Sequence, residues 1–165
     1  MEETRKTPLV FISYSWEDDE HQNWVRRLAE DLVNNGVDVL LDIWENKNGS
    51  DIAHFMDGSG RLADRVLCIL TPTYKKKANE LTGGVGYEYR NMTAEMYANV
   101  KTIKFIPVIR KGSYEESSPT ALSGRVTVDM TDDSKYEEKL EELLRDILDK
   151  PKYIKPELGI PPKFD

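Results

Sequence analysis

The stretch Phe11-Ile12-Ser13-Tyr14-Ser15-Trp16-Glu17-Asp18-Asp19-Glu20 decides the fold. Its first half completes a near-continuous apolar run, Leu9 to Tyr14, which has the length and composition of a strand covered on both faces. Its second half gives small hydroxyl residues, an aromatic and an acidic cluster, and an amphipathic helix follows at once. Trp24, Val25, Leu28, Ala29, Leu32 and Val33 fall on one helical stripe, and Gly36 ends it as the glycine beyond the cap. A buried strand that hands over directly to an amphipathic helix is the repeating unit of an α/β domain.

The same alternation continues outward from that stretch. Val37 to Leu41 forms a second strand and Arg65 to Leu70 a third. Between them Ile52, Phe55, Met56, Leu62 and Ala63 suggest a helix, weakened by Gly58 and Gly60. A helix from about Tyr87 to Asn99 precedes strand four, Ile103 to Ile109, and a weak fifth strand, Arg125 to Asp129, follows a polar loop. In the last helix Ser134 and Glu137 have the spacing of a capping box, and Tyr136, Leu140, Leu143, Leu144, Ile147 and Leu148 supply the buried stripe. Five such repeats predict a flavodoxin-like, three-layer α/β fold: a five-stranded parallel sheet in the order 2-1-3-4-5 with helices on both faces. In that order a ligand is expected beyond the carboxyl ends of strands one and three, where the winding direction reverses. The loops Ser15 to Asp19 and Thr71 to Gly86 leave those strands, with Ile43 to Ser50 next door.

Composition narrows the function classes. The chain has 165 residues, 39% of them hydrophobic and 32% charged, which fits one well-solvated domain with a real core. Its formal charge of −7 argues against nucleic-acid and anionic-membrane partners, because phosphate backbones demand clustered cations. The one basic run, Lys75-Lys76-Lys77, suits a solvated loop or a segment that helps attract an anionic ligand. No stretch approaches 18 apolar residues and the charged start of the chain is no signal peptide, so a cytoplasmic location is expected. Cys68, the single cysteine, sits inside an apolar strand and is expected to be buried. His21 and His54 stand apart in sequence and no metal-ligand set is expected. Residues 1–7 suggest a flexible terminus and 8–150 the domain. Pro151, Pro156, Pro161 and Pro162 exclude a continuing helix over 151–165 and suggest a tail, or a linker to a further domain.

Phe-Ile-Ser-Tyr-Ser at 11–15, then Trp24 and Leu28, then Gly36-Val37-Asp38-Val39-Leu40-Leu41-Asp42, and finally Gly83 to Glu88, together resemble a Toll/interleukin-1 receptor (TIR) domain. The likeness runs from Pro8 to Lys150 and leans toward the bacterial type and the related SEFIR subgroup. It implies one of two functions. The first is an NAD+ glycohydrolase or cyclase that releases nicotinamide and ADP-ribose, or a cyclic isomer, when self-assembly triggers an immune or cell-death signal. The second is a non-catalytic TIR–TIR interaction module. NAD+ enters the first as substrate, with no cofactor; other TIR domains, and a fused or separate sensor or effector domain, are the implied partners.

The same likeness assigns site residues. In NAD-cleaving members a glutamate early in the helix after strand three is catalytic, and Glu88 takes that position through Thr71-Pro72 and Tyr87. From residue type alone, Glu88 is as well explained as an exposed acid stabilised by the helix macrodipole. Ser15 and Trp16 correspond to residues lining the NAD cleft; helix capping by Ser15 and packing by Trp16 explain them equally. Some relatives carry arginines there and this chain has none, which leaves phosphate binding unassigned. Asp42 ends strand two. Trp44 opens the segment resembling the family's BB loop, 44–54, which contains Gly49. Its indole suits stacking on nicotinamide or adenine, a protein contact, or core packing. One carboxylate suffices for the chemistry: nicotinamide leaves readily from NAD+, and the ribosyl cation that develops is what needs stabilising.

Overall fold

The computed structural model describes residues 7–81 and 83–165, apart from the side chains of Ala53, Tyr87 and Glu88 and any account of the surroundings of Gly83 and Gly84. Most of the N-terminal segment therefore lies outside the described residues. The elements are β1 (Leu9–Tyr14), α1 (Asp19–Asn34), β2 (Asp38–Leu40), α2 (Asp42–Glu45), α3 (Ile52–Leu62), β3 (Arg65–Leu70), α4 (Pro72–Asn79), α5 (Gly83–Ala98), β4 (Phe105–Ile109), α6 (Tyr114–Ser117), β5 (Val128–Asp129) and α7 (Tyr136–Ile147). All pairings are parallel and the order is β2-β1-β3-β4-β5, as expected.

Strand alternation sorts the core into two layers. Val10, Ile12 and Tyr14 of β1 pack with Leu67, Ile69, Ile106 and Val108 against α1 and α7. Phe11 joins Val66, Cys68, Leu70, Phe105 and Ile109 on the opposite face, against α3, α4 and α5. Because successive strand side chains point to opposite faces, an unbroken apolar run is what a sheet buried on both sides requires. Cys68 is fully buried, as expected. Gly36 ends α1 with a φ of +87°, where an L side chain would be strained.

Several expectations need correction. Pro72–Asn79, expected as loop, is helix α4: Thr71 caps it by accepting from the Tyr74 N–H, and Pro72 supplies the fixed φ of a first helical residue. The lysine run is therefore helical, with Lys75 Nζ donating to the Glu115 carbonyl and Lys77 Nζ to that of Trp16. Helix α5 begins at Gly83 rather than Tyr87, so Glu88 belongs to its second turn, where the macrodipole acts less. At Gly86 a Cβ would run into the backbone of Leu81, so this glycine lets α5 lie close against the turn that precedes it. Asp18, not Ser15, caps α1, accepting from the His21 N–H at 2.8 Å. The Ser134–Glu137 capping box does not form: Asp132 caps a 3-10 turn at Asp133–Lys135 and takes the Ser134 hydroxyl. Strand β5 is reduced to two residues, Arg125 instead donating to the Thr102 carbonyl and Val126 facing solvent. Val33, Ile52 and Leu62 are exposed, so the stripes of α1 and α3 are narrower than expected. Residues 151–165 carry no helix or strand and are exposed. No helix among the described residues is long and apolar enough to cross a membrane.

Candidate functional site

The register Leu9↔Asp38 to Phe11↔Leu40 ends β2 three residues short of the end of β1, so the chain that leaves β2 runs beside the last residues of β1. Tyr14, the last residue of β1, thereby meets Asp42, the first of α2. Its hydroxyl donates to Asp42 Oδ1 at 2.8 Å, and Trp16 Nε1 donates to Asp42 Oδ2 at 2.8 Å. Asp42 is 5% exposed, so both carboxylate oxygens are committed to orienting aromatic neighbours. Burial pushes the Tyr14 phenol well above its ordinary range, which keeps it a neutral donor.

Above this triad lies a cavity of about 210 Å³, lined by Tyr14, Trp16, Asp42 and Asn46, by Ile52, Phe55 and Met56 of α3, by Lys77 of α4 and by Val85 of α5. It is an apolar hollow with one carboxylate and one ammonium at its edge, which suits a flat ring bearing a polar group. A larger, more open cavity of about 600 Å³ lies at the other end of the sheet, where Arg65 and Phe105 begin their strands. There Arg65 is engaged by Asp146 through two contacts of 3.2 Å and Arg125 by the Thr102 carbonyl, so both arginines of its lining are already committed. The smaller cavity has the position a parallel sheet reserves for ligands.

The sequence-assigned residues divide accordingly. Trp16 and Asp42 line the cavity. Ser15 does not: it is fully buried behind the site, its hydroxyl donating to Glu17 Oε2 at 2.7 Å. Trp44 lies on α2 outside the lining and is 42% exposed, which excludes the core-packing alternative. Gly49 is also outside the lining. It occupies the third position of a turn closed by Ser50 N–H to the Lys47 carbonyl at 2.9 Å, with a φ of +92° that accounts for the glycine. The side chains of Tyr87 and Glu88 lie outside the described residues; on α5, Glu88 follows Val85 by three residues. Tyr14 and Asn46 were not assigned to the site by sequence, and Lys77 was noted only as part of the basic run. Tyr14 had a signal as the last residue of a strand at the expected switch point.

A family model described as "TIR domain" matches residues 10–144. The chain belongs to the TIR-domain family. Among solved structures, a prokaryotic SEFIR domain is 36% identical, with a TM-score of 0.68 over 86% of this chain and 99% of that one. The TIR domain of the Toll-related receptor TRR-2 from Hydra magnipapillata shares the fold at 18% identity, with a TM-score of 0.62 over 84% of this chain and 97% of that one. The SEFIR domain of interleukin-17 receptor B does so at 16% identity, with a TM-score of 0.57 over 84% and 96%. A search of curated protein sequences gives no match.

For this TIR domain, Trp44→Ala is expected to lower the melting temperature by no more than about 3 °C, since little apolar area leaves the interior. Self-association should weaken instead. A thermal melt beside a sedimentation series checks both; a large loss of stability would show that the indole is structural.

Proposed function

We propose that this TIR domain cleaves the N-glycosidic bond of NAD+. Water or a ribose hydroxyl adds its oxygen to the anomeric carbon and gives up its proton to solvent as nicotinamide leaves with the bonding pair, giving ADP-ribose or a cyclic isomer. Glu88 stabilises the cationic ribosyl group in the transition state, and the nicotinamide ring occupies the hollow between Trp16 and Phe55. The observation that carries this reading is the cavity at the carboxyl end of β1, with a buried carboxylate orienting an exposed indole at its mouth and a wall formed by the helix that bears Glu88.

Its size argues for assembly. Pockets that enclose drug-sized ligands hold about 300–1,000 Å³, and 210 Å³ accommodates one end of a dinucleotide rather than all of it. A neighbouring domain would supply the remaining wall. Ile43, Trp44 and Ile52, apolar and exposed beside the 47–50 turn, are a surface for that neighbour. The same residues support the second reading, a domain that assembles without chemistry.

Incubation of concentrated protein with NAD+, followed by chromatography of the products, separates the two. Release of free nicotinamide in step with NAD+ loss is expected. Self-association with NAD+ left intact would establish the interaction module.

A further inference from the structure

Next to Trp16 in the chain, and outside the cavity lining, the Glu17 carboxylate is held by donors from separate parts of the chain. Its Oε2 accepts from Ser15 Oγ at 2.7 Å and from Thr71 Oγ1 at 2.9 Å, and lies 3.3 Å from His21 Nε2. Its Oε1 lies 3.9 Å from Lys111 Nζ, which follows β4 and also stands 3.8 Å from Asp18. The Glu17 side chain is only 13% exposed although residue 17 belongs to no helix or strand. Two hydroxyls, an imidazole and an ammonium converging on one oxyanion form the donor set of a phosphate site. They stand at the switch point between β1 and β3, beside the capped N-terminus of α4, where an anion is favoured.

Glu17 uses this set incompletely. The His21 side chain is wholly buried, yet neither ring nitrogen makes a hydrogen bond. A buried polar group left so is costly, and native structures rarely keep one without a use. A planar carboxylate presents two oxygens along one arm; a tetrahedral phosphate presents three, and can meet the imidazole as well as the hydroxyls.

We propose that Ser15, His21, Thr71 and Lys111 form the diphosphate subsite of a nucleotide ligand, which Glu17 fills in the free domain and vacates when phosphate enters. The identity of the ligand rests on the NAD+ reading; the anion site itself does not. Trp16 lies between Ser15 and Glu17 in the chain and also lines the cavity, so the two places are adjacent along the β1–α1 loop. The subsite also accounts for the lack of arginines in this loop: hydroxyls, imidazole and lysine take their place. Burial pulls the His21 pKa below its ordinary value, and a bound dianion works in the opposite direction.

The test is equilibrium binding of inorganic pyrophosphate to the full chain by calorimetry, with the His21 ring followed by nitrogen NMR. Glu17→Gln keeps a neutral acceptor for the two hydroxyls and removes the internal competitor, so affinity should rise about tenfold. Glu20→Gln, on the first turn of α1, removes the same charge without touching the set and should change affinity less than about twofold. Thr71→Val and Lys111→Ala should each weaken binding about tenfold, and the wild-type His21 pKa should rise with pyrophosphate present. Lys111→Ala, at a partly exposed position, decides the matter if Thr71→Val loses the α4 cap and fails to fold. Glu17→Gln binding no better than Glu20→Gln, or Lys111→Ala binding like the wild type, would overturn the proposal. Pyrophosphate has no glycosidic bond, so a chain that binds it in this pattern but leaves NAD+ intact would refute only the cleavage reading.

Discussion

Glu88→Gln is expected to reduce nicotinamide release about 10²-fold or more while leaving the melting temperature nearly unchanged. The amide matches the carboxylate in size and in hydrogen-bonding reach, so the substitution isolates charge. A ribosyl cation next to a fixed carboxylate in a water-poor site gains several kcal/mol that a neutral amide does not return, and removal of a single preorganised group in such sites costs about 10²–10³ in rate. The backbone position favours a small structural effect. Glu88 lies in the second turn of α5, past the residues where the macrodipole is strongest, so loss of its charge should alter stability by under about 1 kcal/mol. Release of nicotinamide at the wild-type rate by Glu88→Gln would remove this residue from the mechanism. A collapse in melting temperature would make it structural.

Asp42→Ala should be the most damaging single change at the site. The carboxylate is 5% exposed and is the acceptor for both the Tyr14 hydroxyl and the Trp16 indole N–H. Its loss leaves a buried phenol donor without a partner and frees the indole at the mouth of the cavity. Hydrogen bonds to a charged group contribute about 1.5–3 kcal/mol, and a stranded buried donor adds its own penalty. A loss of about 3 kcal/mol corresponds to a fall of roughly 10 °C in melting temperature for a domain of this size. NAD+ cleavage should fail as well, even where the variant is still folded. Asp42→Asn keeps one acceptor and should lie between. Thermal melts with indole fluorescence check both; a shift for Asp42→Ala no larger than that of the surface change Glu45→Ala would mean that this carboxylate orients nothing.

What the sequence made legible follows from how each element is stabilised. Strands β1, β3 and β4 are buried on both faces, so their apolar runs could be found without knowledge of their neighbours, and α7 declared itself through Leu140, Leu143 and Ile147. Helix α4 was hidden because only Tyr74 and Ala78 of it are buried, one contact per turn, amid three lysines. The cap assignment at α1 failed because two polar residues precede the helix: α1 starts at Asp19, which puts Asp18 in the capping position, while the Ser15 hydroxyl goes to Glu17 two residues on. At the site, Trp16 and Asp42 were found singly, Trp16 through the family resemblance of the loop after β1 and Asp42 as the residue that stops strand two. Their hydrogen bond was not, because 26 residues separate them and only the β1–β2 register brings them together. His21 offered no sequence signal beyond its place four residues after Glu17, and its burial comes from packing against Tyr14.

The most direct test of the account is the dependence of NAD+ cleavage on protein concentration. The cavity of one domain has room for only part of a dinucleotide, and a formal charge of −7 keeps dilute monomers apart at low salt. Nicotinamide release per mole of protein should therefore be weak or undetectable in a dilute sample shown to be monomeric. It should climb steeply as concentration rises, as crowding agents are added, or when the domain is fused to a multimerising partner. Specific activity that stays constant across a hundredfold dilution of a monomeric sample would contradict assembly of the site, and clustered protein that leaves NAD+ intact would contradict the cleavage itself.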